Sequence, residues 1–207
     1  MSMLAYIQII SFSILLLLFL LQLTGVHRRV RIAARIACIV SGVVVFGFLA
    51  YYSYVQYAVW QGNELTQNFF SDGLGYFYSY VLYRIWAQYI ISFIIAALFF
   101  WLSRRHNRRH DERFFYTEEP YLLALSLFLV GHPGWLLYLF VVLFSYVAFS
   151  IVYKLHTRRS AFDAKEIRVS FYYGWIPAAL FVILMKEVIL AVPLLQILVF
   201  SSGHLIL

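Results

Sequence analysis

A single cysteine, Cys38, leaves this chain without an intramolecular disulfide, and no C-x-x-C metal or redox motif can exist. Charge is scarce as well. Only 12% of residues are Asp, Glu, Lys or Arg, about half the share in a soluble globular protein. A glycine-rich phosphate loop, a G-x-S-x-G elbow and a dinucleotide fingerprint are all absent. No two histidines stand at i, i+3 or i+4 on one apolar face. His106 and His110 have that spacing on an arginine-dense stretch, where neighbouring cations oppose a metal. Neither a metal nor a cofactor is expected.

What remains is apolar. Hydrophobic residues make up 64% of the chain. About 20 apolar residues cross a bilayer core as a helix, so lipid is the expected surrounding and nearly every segment is committed to it. The expected architecture is all-α: residues 1–207 form one integral membrane domain, a polytopic bundle of six or seven transmembrane helices.

The cations carry the topology. Fourteen of the 16 Lys and Arg residues fall in three short stretches. These are Arg28, Arg29, Arg31 and Arg35; Arg104, Arg105, Arg108, Arg109 and Arg113; and Lys154, Arg158, Arg159, Lys165 and Arg168. The connections 61–75 and 131–134 hold none. By the positive-inside rule, loops 25–35, 103–117 and 155–169 are cytoplasmic and the N-terminus is outside. The net charge of +7 therefore reads as topology and headgroup contact rather than nucleic-acid binding. The run from Met3 to Leu23 has no basic segment before it and no small-residue cleavage site after it, so it reads as a retained first helix.

Expected spans are 3–24, 34–60, 76–102, 118–131 and 135–154. The tail 170–200 reads as one long span or two short ones, interrupted by Lys186-Glu187. Tyr51, Tyr52, Tyr54, Tyr57 and Trp60 end the second span, and Tyr76, Tyr78, Tyr80, Tyr83 and Trp86 begin the third. They form an aromatic belt at the outer interface. Thr117 is the expected N-cap of span four, with Pro120 in its first turn. His132-Pro133-Gly134 is an expected outer turn.

Ionisable groups at membrane depth are functional candidates by default. Glu118 and Glu119 stand at the cytoplasmic mouth of span four. A helix N-terminus favours their charge through its dipole, and that alone accounts for them. Adjacent carboxylates that share a proton can also perform acid–base chemistry.

The stretch Glu112–Phe200 resembles the membrane half of type IV prepilin peptidases and archaeal preflagellin peptidases. That family carries a G-x-G-D-x-K-L-L-A-L run at the start of a short helix, then a Gly/Pro turn, a long apolar helix, a basic loop and a P-F-G-P-like segment. Here the run is Tyr116-Thr117-Glu118-Glu119-Pro120-Tyr121-Leu122-Leu123-Ala124-Leu125. The turn is Gly131-His132-Pro133-Gly134, the basic loop Lys154–Arg168, and the last segment Phe171-Tyr172-Tyr173-Gly174-Trp175-Ile176-Pro177. The resemblance puts Glu119 at the family's second catalytic aspartate, with Glu112 near an acidic position upstream. His27 stands where the first aspartate belongs, in His27-Arg28-Arg29-Val30-Arg31-Ile32-Ala33. The implied activity is a membrane carboxylate peptidase cutting a basic leader from a single-helix substrate, in a bacterial or archaeal cytoplasmic membrane. Glu119, Glu118 and Glu112 are its candidate catalytic residues. The CAAX-type glutamate proteases offer a lesser likeness, since Glu118-Glu119 matches their E-E-x-x-x-R opening while Leu123 replaces the arginine. The alternative from another class is a non-catalytic subunit or scaffold that binds a partner's transmembrane helix.

Overall fold

The computed structural model describes residues 3–62, 75–110, 115–157 and 171–190. Among the described residues the chain is all-helical, without strands. Six helices follow one another: α1 (Met3–Leu23), α2 (His27–Gln61), α3 (Gly75–Arg109), α4 (Glu119–Val130), α5 (Gly134–Thr157) and α6 (Trp175–Leu190). Four of them, α1, α2, α3 and α5, are long and apolar enough to cross a membrane.

The second and third helices overrun their expected bounds. Arg28, Arg29, Arg31 and Arg35 lie on the first turns of α2, and Arg104, Arg105, Arg108 and Arg109 on the last turns of α3. These cations were expected in loops. Arginine is a good helix former, so the helix runs on through the charged residues instead of stopping at the end of the apolar run.

The core is organised around α4. It is only 12 residues long, and ten of them are buried. A helix that is apolar all round belongs in an interior, and α4 packs against each of the other five. At 1.5 Å per residue it is about 18 Å long. Its expected N-cap differs: Glu118 takes that position without a side-chain cap, while the Thr117 hydroxyl donates to Glu118 Oε2 at 3.0 Å. Pro120 lies in the first turn as expected.

Two glycines adopt backbone that other residues avoid. Gly25, φ +71°, reverses the chain between α1 and α2, and Gly131, φ +73°, ends α4.

Within α3 the stretch Leu82–Trp86 is a π-helical turn. Its buried residues explain it. Phe77, Val81, Ile85 and Tyr89 are buried at successive steps of four. On a regular α-helix each such step drifts by about 40°, and a wider π turn absorbs the drift. The two aromatic clusters pack together where α2 ends and α3 begins. Trp60 at the end of α2 meets Tyr76, Phe77 and Tyr80 of α3, with ring centroids 6.2, 5.4 and 5.1 Å apart.

The tail is helical from Trp175 to Leu190. Residues 191–200, Glu64, Asp72 and most of the third basic loop lie outside the described residues.

Candidate functional site

Glu118 and Glu119 begin the central helix, and both are 1% exposed. A buried carboxylate needs partners to stay ionised, and adjacent side chains cannot share one direction. The two acids accordingly face different elements.

Glu118 turns toward α2. Its Oε1 lies 2.7 Å from His27 Nδ1, and its Oε2 lies 3.8 Å from an Arg31 Nη. His27 and Arg31 are one helical turn apart, so the first turn of α2 presents both to one acid. Thr117 Oγ1 completes the set. The His27 ring also packs against Tyr172 and Tyr116, with centroids 5.0 and 5.5 Å away. With Nδ1 committed to Glu118, its proton sits on that nitrogen in the neutral ring and Nε2 is an acceptor. The imidazole is about half exposed, so solvent reaches it.

Glu119 turns toward α6. Trp175 Nε1 donates to its Oε2 at 3.1 Å, and the Tyr116 amide donates to its Oε1 at 3.2 Å. The Trp175 residue is itself buried. Glu119 therefore couples α4 to α6 and to the strand of chain leading into α4.

Two further contacts hold the frame. Asn107, at the end of α3, donates through Nδ2 to the Phe115 carbonyl at 2.8 Å and accepts the Phe115 amide at 3.0 Å. From α1, Gln22 Nε2 donates to the Tyr172 carbonyl at 2.5 Å. Burial pushes the Tyr172 phenol above its ordinary range, and the charges of Glu118, Tyr173 and Glu119 add to it. That hydroxyl remains protonated at neutral pH.

Of the expected site residues, the structure joins Glu118 to His27 across 91 positions of sequence. Glu119 meets Trp175 and Tyr116 instead. Glu112 lies outside the described residues. Gln22, Tyr172 and Trp175 were missed as individual site residues. The only sequence signal for Gln22 was an amide near the end of an apolar run. His106 and His110 are ring neighbours 4.6 Å apart, but among the described residues no group of three His, Cys, Asp or Glu side chains could hold a metal.

No family model, curated protein or solved structure matches this chain.

Proposed function

We propose that this chain is a multi-pass protein of a bacterial or archaeal cytoplasmic membrane, built like a prepilin peptidase. In this reading it hydrolyses the leader of a single-helix substrate at the His27–Glu118 pair. One observation carries the reading. The 2.7 Å contact joins the two sequence segments that the resemblance aligns with that family's two aspartate motifs.

The chemistry differs from an aspartate pair. Glu118 fixes the Nδ1 proton, and His27 Nε2 takes a proton from water as the water oxygen attacks the peptide carbonyl carbon. The same nitrogen then returns the proton to the departing amine. Glu118 offsets the imidazolium charge in between. Glu119 holds α4 in place and does not touch the reacting atoms.

The spans fit this use. We place the N-terminus outside and the three basic stretches in the cytoplasm, which puts the first turn of α2 at the cytoplasmic face. Because Glu118 reaches that turn, α4 starts there too. About 18 Å of helix ends short of crossing a core about 30 Å thick. The Gly131–Gly134 turn then lies at membrane depth, deeper than an outer loop. Non-helical backbone is tolerated there only when protein covers it, and Gly131, Pro133 and Gly134 are buried. Trp135 Nε1 also donates to His132 Nδ1 at 3.1 Å, satisfying two polar groups of the turn.

Labelling tests the topology. In a Cys38→Ser background, cysteines at Ser71 and Ser160 are expected to react with an impermeant maleimide from opposite sides of the membrane. Reaction of both from one side contradicts the orientation.

The scaffold reading rests on a different feature. Helices α5 and α6 enclose an apolar groove of about 1040 Å³, walled by Phe140, Phe144, Phe149, Phe171, Tyr173 and Phe181. A purified chain that leaves basic-leader substrates intact, yet crosslinks to their helix from Phe144, is a binding subunit. Cleavage between leader and helix supports the peptidase.

A further inference from the structure

Of the 12 residues of α4, only Tyr121 and Ala124 are not buried, and they lie one turn apart on a single face. That face is the floor of a furrow between α2 and α3. At one end Tyr121 meets both walls. The Arg35 guanidinium of α2 lies over its ring at 5.0 Å, and the Phe100 ring of α3 lies 4.9 Å from it. Arg104, one turn along α3, lies over Phe100 at 5.8 Å. Three short steps therefore join two guanidiniums from different helices. Both arginines are exposed, and among the described residues neither pairs with a carboxylate. An arginine seated on a ring is held in place and keeps its N–H fork available to a phosphate.

The other end is closed. Phe128, on the same face of α4 two turns from Tyr121, meets Phe46 of α2 and Phe93 of α3, each at 5.9 Å. Those two rings meet each other at 5.8 Å. Between the ends there is room. Gly42 shares a face of α2 with Arg35 and Phe46, and a Cβ there would meet no neighbouring atom within 4 Å. Arg35 to Phe46 is about 16 Å of helix, and so is Phe93 to Arg104. Half of a membrane core about 30 Å thick has that depth.

We propose that this furrow binds an anionic phospholipid of the leaflet at the end where α4 starts. The phosphate sits at Arg35 and Arg104, and one acyl chain runs over Tyr121 and Ala124 to Phe46 and Phe93. Two cations at the mouth of an apolar slot one leaflet deep select such a molecule by charge and by length. The proposal does not rest on the peptidase reading.

The probe is phosphatidylglycerol with a diazirine at the tip of one acyl chain, present in trace in phosphatidylcholine bilayers that hold the full chain. Crosslinks are expected on α2 and α3 around Phe46 and Phe93. Unlabelled phosphatidylglycerol is expected to compete better than unlabelled phosphatidylcholine, with each arginine contributing about five-fold. Arg35→Gln with Arg104→Gln is expected to lose most of that preference. Arg29→Gln with Arg109→Gln removes the same charge from other helix faces and is expected to keep it. Gly42→Leu fills the slot and is expected to suppress the crosslink with both arginines intact. It carries the test should the first pair not fold. Equal competition by the two lipids on the wild type overturns the proposal, as do tip crosslinks away from Phe46 and Phe93. An equal loss in both arginine pairs, the mark of diffuse surface charge, overturns it too, and so does undiminished crosslinking in Gly42→Leu.

Discussion

Glutamine at position 118 is expected to slow cleavage of a basic-leader substrate by about 10²- to 10⁴-fold, the range of a positioned acid–base group. The change keeps the side chain's size, and its amide oxygen still accepts the His27 Nδ1 proton. It removes the negative charge that stabilises imidazolium while the proton rests on Nε2. Because the carboxylate is 1% exposed, water is poorly placed to substitute for it. His27→Gln is expected to lose a similar factor, and the double variant little more than either single one, since residues acting as a unit are not additive. Melting temperatures tell lost chemistry from lost fold. Glu119→Gln provides the contrast. It sets an amide NH₂ against one of the two donors that the carboxylate oxygens accept, so a lower melting temperature is its expected signature. Full turnover by Glu118→Gln, with activity lost only in a well-folded Glu119→Gln, returns the catalytic role to Glu119.

The second large effect concerns stability. Trp175→Phe keeps most of the buried ring and deletes the Nε1 proton that Glu119 accepts. A buried acceptor left without its donor costs about 1–3 kcal/mol, more when it is charged. Thermal unfolding in detergent should register this as a clear drop in midpoint. Glu119→Met in the same background removes the stranded charge and is expected to recover much of the loss, giving a coupling of about 0.5–3 kcal/mol in a double-mutant cycle. Strictly additive single changes would show that the indole and the carboxylate do not depend on each other.

Long apolar runs were the most legible part of this chain. Met3–Leu23 appears in sequence and structure with nearly the same ends, because an uninterrupted apolar helix has one place to go. The start of α2 was less legible, since the charged residues that mark the end of an apolar run do not end a helix. Span four was found, but its nature was not. A short all-apolar segment reads alike as a span or as a core helix. Only its neighbours show that α4 is enclosed. At the site, the two acids stood out because carboxylates are rare here. Which way each faces was not legible. Adjacent side chains on a helix point about 100° apart, so their partners depend on how α2 and α6 are placed around α4. For the same reason the His27–Glu118 contact was not legible: the resemblance set His27 and Glu119, not Glu118, at the two aspartate positions.

The split between the two acids also bears on the order in which the chain is made. His27 and Arg31 precede Glu118, so its partners are already in place when α4 leaves the ribosome. Trp175 comes 56 residues after Glu119, and α6 packs on α1, α4 and α5. Until α6 arrives, Glu118 has its partners while Glu119 has the Tyr116 amide but not the Trp175 indole. Helix α6 is thus the closing piece of assembly. A nascent chain halted before Phe171 would show a membrane quality-control protease a carboxylate lacking its indole donor and an uncovered α4, marking it as unfinished.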